Sequence, residues 1–211
     1  MVIRQVFTPI LIAASVVLLI SFAIRASFGV FQIPIANDLG WFRTEFSLAI
    51  AIQNLAWGIA TPLFGAFAEK LGDRRALIVG ILVYALGLGL SSMATTAASH
   101  QFLEILVGVG IAGTGFGVVL GVVGRAASDE TRSLALGVTT AAGSAGQIVG
   151  PPLTQYMLSS MSWQSVFLVY AGVVLLALFA LPFIKAPTKA TKKEVEESLS
   201  KILNIAVRDP S

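Results

Sequence analysis

Six long apolar segments, joined by short polar connections, constrain the fold of this chain more than any other feature. A helix needs roughly 20 residues to cross a bilayer, and it is the one single-segment structure that satisfies its own backbone hydrogen bonds in lipid. We therefore predict an all-α membrane protein in which residues 1–184 form a bundle of six transmembrane helices. The apolar segments lie at 7–34, 45–68, 76–98, 102–124, 133–160 and 164–184.

The composition supports this class and excludes several kinds of chemistry. Only 12% of the residues are charged and 56% are hydrophobic, whereas soluble domains carry about 25% charged residues. The chain has no Cys and a single His, His100, so disulfides, Cys-ligated zinc and clusters of His are excluded. No acid–base pair, nucleophile or metal cluster stands out. We therefore predict neither an enzyme nor a metal site nor a bound cofactor.

Basic residues are distributed unequally between the two sides of the predicted bundle. Twelve fall on the side of the N-terminus, and Arg43 alone falls on the other side. The positive-inside rule then predicts that both termini are cytoplasmic, in the plasma membrane, which for a bacterium is the inner membrane. Because these residues flank the spans, the net charge of +3 indicates topology rather than nucleic-acid binding. The twelve are Arg4, Lys70, Arg74, Arg75, Arg125, Arg132, Lys185, Lys189, Lys192, Lys193, Lys201 and Arg208.

The last segment, residues 185–211, differs from the rest in being charged. Val195, Leu199 and Ile202 recur at helical spacing, and Thr191 followed by Glu194 resembles a capping box. We predict a cytoplasmic linker that contains an amphipathic helix near the membrane surface. The alternative is a frayed tail.

Arg25 is the most unusual polar residue within the apolar segments. It lies about 20 Å below the predicted outer loop, too deep for its charge to reach water easily. An Arg at the centre of a span costs about 2.5–3.5 kcal/mol on insertion scales, so it should face a cavity or a partner. A guanidinium suits a carboxylate or a phosphate, which predicts an anchor for an anion. The alternative is a structural Arg satisfied by helix carbonyls or by Glu104.

Weak internal matches indicate a repeat. The sequence SFGV at 27–30 in the first segment matches GFGV at 115–118 in the fourth, and SLA at 47–49 matches SLA at 133–135. The order predicts two units of three helices. Since three is odd, the second unit would enter the membrane from the opposite side, as in the inverted repeats of secondary transporters.

The connection after the second segment reads GAFAEKLGDRR at 65–75. It resembles the signature of the major facilitator superfamily, in which Gly, an acid, a base, a second Gly and a basic cluster follow in that order. An acid at a helix end can dock on the facing half in one conformation and be released in another. In this sequence Glu69 replaces the usual Asp, and Asp73 stands where an Arg is usual. The resemblance implies a gating role for Gly65, Glu69, Lys70, Gly72, Arg74 and Arg75, the alternative being plain positive-inside topology.

The fifth segment resembles the antiporter motif of the same superfamily. Gly137, Gly146, Gly150 and Pro151 have its spacing, while the Gly-Gly that follows in the family is replaced by Thr154 and Gln155. Gly permits close helix packing, and Pro removes a backbone donor, so we predict helix-packing roles for these four. The Arg that many relatives carry in the fourth span, often tied to proton coupling, has no counterpart in ILVGVGIAGTGFG.

The whole pattern resembles the N-terminal half of a twelve-helix transporter, with details similar to monocarboxylate and oxalate/formate transporters. The resemblance implies a pathway lined by the first, second, fourth and fifth helices. Arg25, Gln53, Asn54 and Gln147 then become candidate substrate-binding residues, although each amide by itself is better explained by a hydrogen bond to a neighbouring helix.

The function implied is that of a secondary active transporter that moves a small organic anion, a monocarboxylate or a dicarboxylate, by alternating access. Six helices would need a C-terminal six-helix half or a second copy, and we expect a fragment or a truncated gene product. The alternative functions are a non-transporting assembly partner or sensor in the membrane, or an inactive truncated transporter.

Overall fold

The computed structural model describes residues 7–184, which form a bundle of α-helices arranged as six spans. The first span, Pro9–Leu39, contains α1 (Pro9–Ser27), a 3₁₀ turn (Phe28–Phe31) and α2 (Gln32–Leu39). The second and third spans are α3 (Arg43–Leu71) and α4 (Asp73–Ser91). The fourth span, Ala97–Ala126, contains α5 (Ala97–Thr114) and α6 (Phe116–Ala126). The fifth is α7 (Arg132–Leu158), and the sixth, Trp163–Phe183, contains α8 (Trp163–Leu176) and a 3₁₀ segment (Ala177–Phe183).

The predicted all-α membrane architecture is confirmed, with one qualification for the fifth span. Five of the six are long and apolar enough, by length and composition, to cross a membrane. The remaining helix, α7, has 27 residues but is less apolar, because Thr139, Thr140, Gln147 and Gln155 interrupt it. The helix predicted within 185–211 lies outside the described residues, so the linker and its boundary at 184 stay predictions.

Local sequence explains where several helices begin and end. The hydroxyl of Thr8 accepts a hydrogen bond from the Leu11 amide at 3.3 Å and caps α1, whose first residue is a proline. The connections after α2 and α3 pass through Gly40 (φ 67°) and Gly72 (φ 95°). Both angles are costly for residues with a Cβ, so glycine permits these two sharp changes of direction.

The contacts between helices agree with the predicted inverted repeat. The two most extensive interfaces join α1 to α7 and α3 to α5. In an inverted repeat the first span corresponds to the fourth, the second to the fifth and the third to the sixth. The contact between the first and fifth spans is then equivalent to the contact between the fourth and second spans. The third and sixth spans also pack together, as a pseudo-twofold axis between the two units requires.

Three glycines of the fourth span sit where helix backbones meet, as close packing of helices in lipid requires. A Cβ at Gly113 would lie 2.5 Å from the Cα of Gly80, and one at Gly110 would lie 2.4 Å from the Cα of Tyr84. A Cβ at Gly108 would lie 2.2 Å from the carbonyl oxygen of Gln53. The fourth span is therefore wedged between α3 and α4.

The helix-packing residues predicted on α7 divide into two groups. A Cβ at Gly146 would lie 2.3 Å from the Leu19 carbonyl oxygen, and one at Gly150 would lie 2.1 Å from that of Ala23. Here α1 and α7 are in backbone contact. A Cβ at Gly137 would meet no described atom within 4 Å, so a packing role for this residue stays a prediction. Pro151 lies inside α7, which continues through it.

The two tetrapeptides that match each other in sequence, SFGV at 27–30 and GFGV at 115–118, both lie where a helix is interrupted. The stretch 27–30 contains the start of the 3₁₀ turn in the first span, and 115–118 begins with Gly115, whose extended backbone separates α5 from α6. Discontinuous helices at corresponding positions of two repeats typically surround the binding site of a transporter. The interruption in the fourth span lies near Arg25, because Phe116 contacts the ring of Phe22, whereas the turn in the first span packs against Phe167.

Candidate functional site

The guanidinium of Arg25 is held by neutral partners. Its Nη2 donates to Asn54 Oδ1 at 3.0 Å, and its Cζ lies 4.3 Å from the ring centre of Trp57. Its Nε is buried without a hydrogen-bond partner. Among residues 7–184, no carboxylate lies within ion-pair distance of Arg25. The alternative in which Glu104 satisfies Arg25 is wrong, since Glu104 bonds elsewhere.

An aromatic cluster surrounds this arginine and connects it to the interrupted fourth span. The Phe22 ring lies 6.0 Å from that of Trp57 and 4.4 Å from that of Phe116, measured between ring centres. Phe116 is the first residue of α6. The backbone amides at the start of a helix are unpaired and carry partial positive charge. Arg25 and the beginning of α6 therefore lie against the same aromatic group, and both favour negative charge.

The other predicted binding residues occupy different surroundings. Asn54 is exposed, and its amide group also donates to the Ile50 carbonyl at 2.8 Å. Gln147 is exposed on α7. It lies between Gly146 and Gly150, which touch the backbone around Ala23. Gln147 is therefore at nearly the same depth as Arg25, two residues beyond Ala23 in α1.

Gln53 does not join this group. Its side chain is buried, and its Nε2 donates to Glu104 Oε2 at 2.6 Å. Neighbouring residues of one helix thus point to different partners: Gln53 to the interior of the bundle, and Asn54 to Arg25.

The surface around Arg25 is open within the six-helix bundle. In the most apolar window of α3, 22% of the residues are buried, compared with 61% in the fourth span. Large apolar side chains such as Leu55, Ile59 and Ile148 are exposed along α3 and α7. The second and fifth spans therefore carry a face that the described residues leave uncovered.

The predicted gating loop is built around an ion pair that the sequence reasoning missed. Asp73, the first residue of α4, accepts a short hydrogen bond from Arg125 near the end of α6. Both side chains are partly buried. Lys70, Arg74 and Arg75, which are near Asp73 in sequence, are exposed, and Gly65 and Glu69 lie in the last turns of α3.

A signal for this pair was present in the sequence. An Asp at 73, in place of the family's usual Arg, reverses the charge at that position. A reversed charge at a helix end calls for a base on a neighbouring helix at the same end of the bundle. Arg125, which closes the fourth span, meets that requirement.

Comparison with known proteins identifies the family. Residues 13–211 match the model of the Major Facilitator Superfamily. The chain belongs to this superfamily. A solved major facilitator structure, the inward-open conformation of the xylose transporter XylE from E. coli, superposes with a TM-score of 0.73 at 14% identity, covering 92% of this chain and 52% of that chain. This likeness establishes the fold and confirms a six-helix half of the superfamily architecture.

The curated relatives of this chain have diverse names. The methyl viologen resistance protein SmvA of Salmonella typhimurium is 27% identical over 84% of this chain and 34% of its own length. The probable L-galactonate transporter of Escherichia coli is 25% identical over 79% of this chain and 36% of its own length. The chain thus spans about a third of the length of these relatives. They support transport in general and do not agree on the chemistry of the substrate.

Proposed function

We propose that this chain is the N-terminal half of a secondary active transporter that moves a small organic anion, a monocarboxylate or a dicarboxylate, by alternating access. The observation that carries the proposal is Arg25, a partly buried cation on α1 beside the exposed Asn54, whose described partners are the neutral Asn54 and Trp57. A cation already neutralised by an acid would have little affinity for an anionic substrate. One held by an amide and an aromatic ring keeps its full charge.

The surroundings of Arg25 favour the same substrate class. The beginning of α6 at Phe116 adds the positive end of a helix dipole. The exposed amide of Gln147 offers a hydrogen-bond donor at similar depth. Gln53 supports the site indirectly in this proposal, because its side chain is bonded to Glu104.

The gating part of the proposal assigns the loop at 65–75, together with Arg125, to the switch between conformations. The Asp73–Arg125 contact joins the start of the third span to the end of the fourth. Breaking it would let this end of the bundle open. Glu69, Lys70, Arg74 and Arg75 would then meet the partner half across the opening.

The proposal includes a location and a partner. With the basic loops on the cytoplasmic side, both termini are cytoplasmic in a plasma membrane, the inner membrane in a bacterium. The uncovered face of α3 and α7 would be closed by a C-terminal six-helix half or by a second copy of this chain. Such closure would place Arg25 between the two halves, where substrates bind in this fold.

Binding and uptake with a charged panel test the proposal. The chain is reconstituted in liposomes, alone and co-expressed with any six-span chain encoded beside it. L-lactate and malonate are compared with the dication methyl viologen. We expect saturable binding of a carboxylate, its loss in Arg25→Ala, and no binding of methyl viologen. Arg43→Ala removes an exposed cation at the first residue of α3. This variant should bind the carboxylate as the wild type does. Binding of methyl viologen alone, or equal effects of the two substitutions, would contradict the anion assignment.

A further inference from the structure

A cluster of titratable groups that takes no part in the proposed anion site is buried between the second, third and fourth spans. Glu104 and His100 lie one turn apart on α5, and both are 0% exposed. The Glu104 carboxylate has Gln53 Nε2 at 2.6 Å on one oxygen. On the other oxygen it has Ser91 Oγ at 3.5 Å and His100 Nε2 at 3.7 Å. Tyr84 of α4 is also buried, and its hydroxyl donates to the Ser21 carbonyl at 3.3 Å rather than to Glu104.

The imidazole of His100 is enclosed by aromatic rings and makes no hydrogen bond. The rings of Trp41, Phe46 and Phe167 lie 5.7, 5.8 and 6.2 Å from it, measured between ring centres. Neither ring nitrogen has a hydrogen-bond partner. Unsatisfied polar atoms in an apolar site are costly, so a structural role leaves this arrangement unexplained.

The protonation of the pair is constrained by its burial. An isolated carboxylate would be expensive in this apolar setting, and so would an isolated imidazolium. A protonated carboxyl beside a neutral imidazole, or a carboxylate beside an imidazolium, carries no net charge. Either state holds one proton, and losing that proton leaves a buried negative charge supported by the amide of Gln53 and the hydroxyl of Ser91.

The cluster has a direct structural connection to the anion site. Gln53, which donates to Glu104, is followed in the chain by Asn54, which accepts from Arg25. The two side chains belong to one turn of a rigid helix. A change in the charge that Gln53 faces therefore acts on the segment of α3 that positions Asn54.

We infer that Glu104 and His100 hold one exchangeable proton, and that the Gln53-Asn54 dipeptide couples this proton to anion binding at Arg25. The coupling rests on the proposed function, whereas the proton site itself does not. The proton enters from water on the side open at the time and returns to water on the other side. Since His100 is the fourth residue of α5, the path from the near end of the bundle is about 5 Å along the helix.

The sign of the coupling follows from charge. Protonation removes a negative charge from the interior next to α3, which favours a second negative charge at Arg25. The affinity for a carboxylate should therefore rise as the pH falls, by up to about tenfold per pH unit for one coupled proton. Proton and anion would cross together.

The first measurement needs no substrate. Infrared spectra of the chain in liposomes are recorded against pH in H₂O and D₂O, to detect the carbonyl stretch of a protonated, exchangeable carboxyl group. We expect a band that titrates in the wild type, is absent in Glu104→Gln and titrates at a different pH in His100→Phe. Asp129→Asn removes a carboxylate that is 90% exposed and should keep the band. Absence of the band from the wild type, or its survival in Glu104→Gln, overturns the proton site.

The second measurement tests the coupling with L-lactate as the probe. Its affinity is measured at two pH values one unit apart. We expect the wild type to bind more tightly at the lower pH, and Glu104→Gln to bind tightly at both. We expect Gln53→Leu to keep the infrared band of the carboxyl group but to reduce the pH dependence of lactate binding. General misfolding of the variant would not produce this combination of results. Unchanged pH dependence in Glu104→Gln overturns the coupling. Failure of the wild type to bind lactate at any pH contradicts the proposed function and the coupling, while the infrared result decides the proton site on its own.

Discussion

Arg25 and Arg125 are two arginines of one bundle placed in opposite electrostatic settings. Arg125 lies near a helix end and is paired with Asp73. Arg25 lies within the first span and has as its described partners the amide of Asn54, the ring of Trp57 and, more distantly, the ring of Phe22. An ion pair lowers the tendency of a cation to attract further anions, whereas neutral partners orient it without cancelling its charge. The difference separates a residue that holds a conformation from one suited to binding a ligand.

The largest effect should come from the packing that fixes the depth of Arg25. Gly150→Leu would drive a side chain into the backbone of Ala23, where a Cβ alone would lie 2.1 Å from the carbonyl oxygen. We expect a loss of about 3 kcal/mol or more of unfolding free energy, measured by titration with a denaturing detergent. Gly137→Leu is the matched control, because a Cβ there meets no described atom within 4 Å. Equal losses in the two variants would show that backbone contact between α1 and α7 does not set stability.

The second effect concerns ligand binding and separates the two arginines directly. Arg25→Gln should weaken lactate binding ten- to a hundredfold, since a hydrogen bond to a charged group is worth about 1.5–3 kcal/mol. Arg125→Gln should change it by less than about threefold, because this cation already faces Asp73. Calorimetric titration in lipid nanodiscs measures both. Comparable losses would remove the distinction drawn between them.

A smaller effect should follow from the neutral partner of Arg25. Asn54→Leu removes the 3.0 Å hydrogen bond to the guanidinium and leaves its charge. We expect about a fivefold loss of lactate affinity, corresponding to about 1 kcal/mol for one hydrogen bond. Arg25→Gln/Asn54→Leu should then lose no more than Arg25→Gln alone. Additive losses would mean that Asn54 contacts the ligand independently of Arg25.

The smallest effect should follow from weakening the ion pair between Asp73 and Arg125. Asp73→Asn removes one partner of a partly exposed pair, which is worth about 0.2–1 kcal/mol at most in such settings. We expect a modest rise in the rate at which a Cys introduced at Ser128, near Arg125 in sequence, is labelled. The charge-reversed pair Asp73→Arg/Arg125→Asp should restore the wild-type rate of labelling. No rescue in the double variant would argue against a direct role for the pair.

Much of the fold was predictable because it depends on local pattern. The six helical segments follow from long apolar stretches, and the two interruptions coincide with SFGV and GFGV, which the sequence shows as a repeat. The candidate site was predictable only in part. Arg25 stands out because a charge within a span is rare, but Gln53 and Asn54 look alike in sequence, and the structure separates them completely.

Hydropathy and charge along the chain determined the class of protein, the number of helical segments and the predicted orientation. The tertiary structure decided which polar groups meet, because each pair joins distant positions: Arg25 with Asn54, Gln53 with Glu104, and Asp73 with Arg125. Helix packing at Gly108, Gly110 and Gly150 sets the rotation of each span about its axis. That rotation, which no short stretch of sequence encodes, determines whether a polar side chain faces a neighbouring helix or the open face.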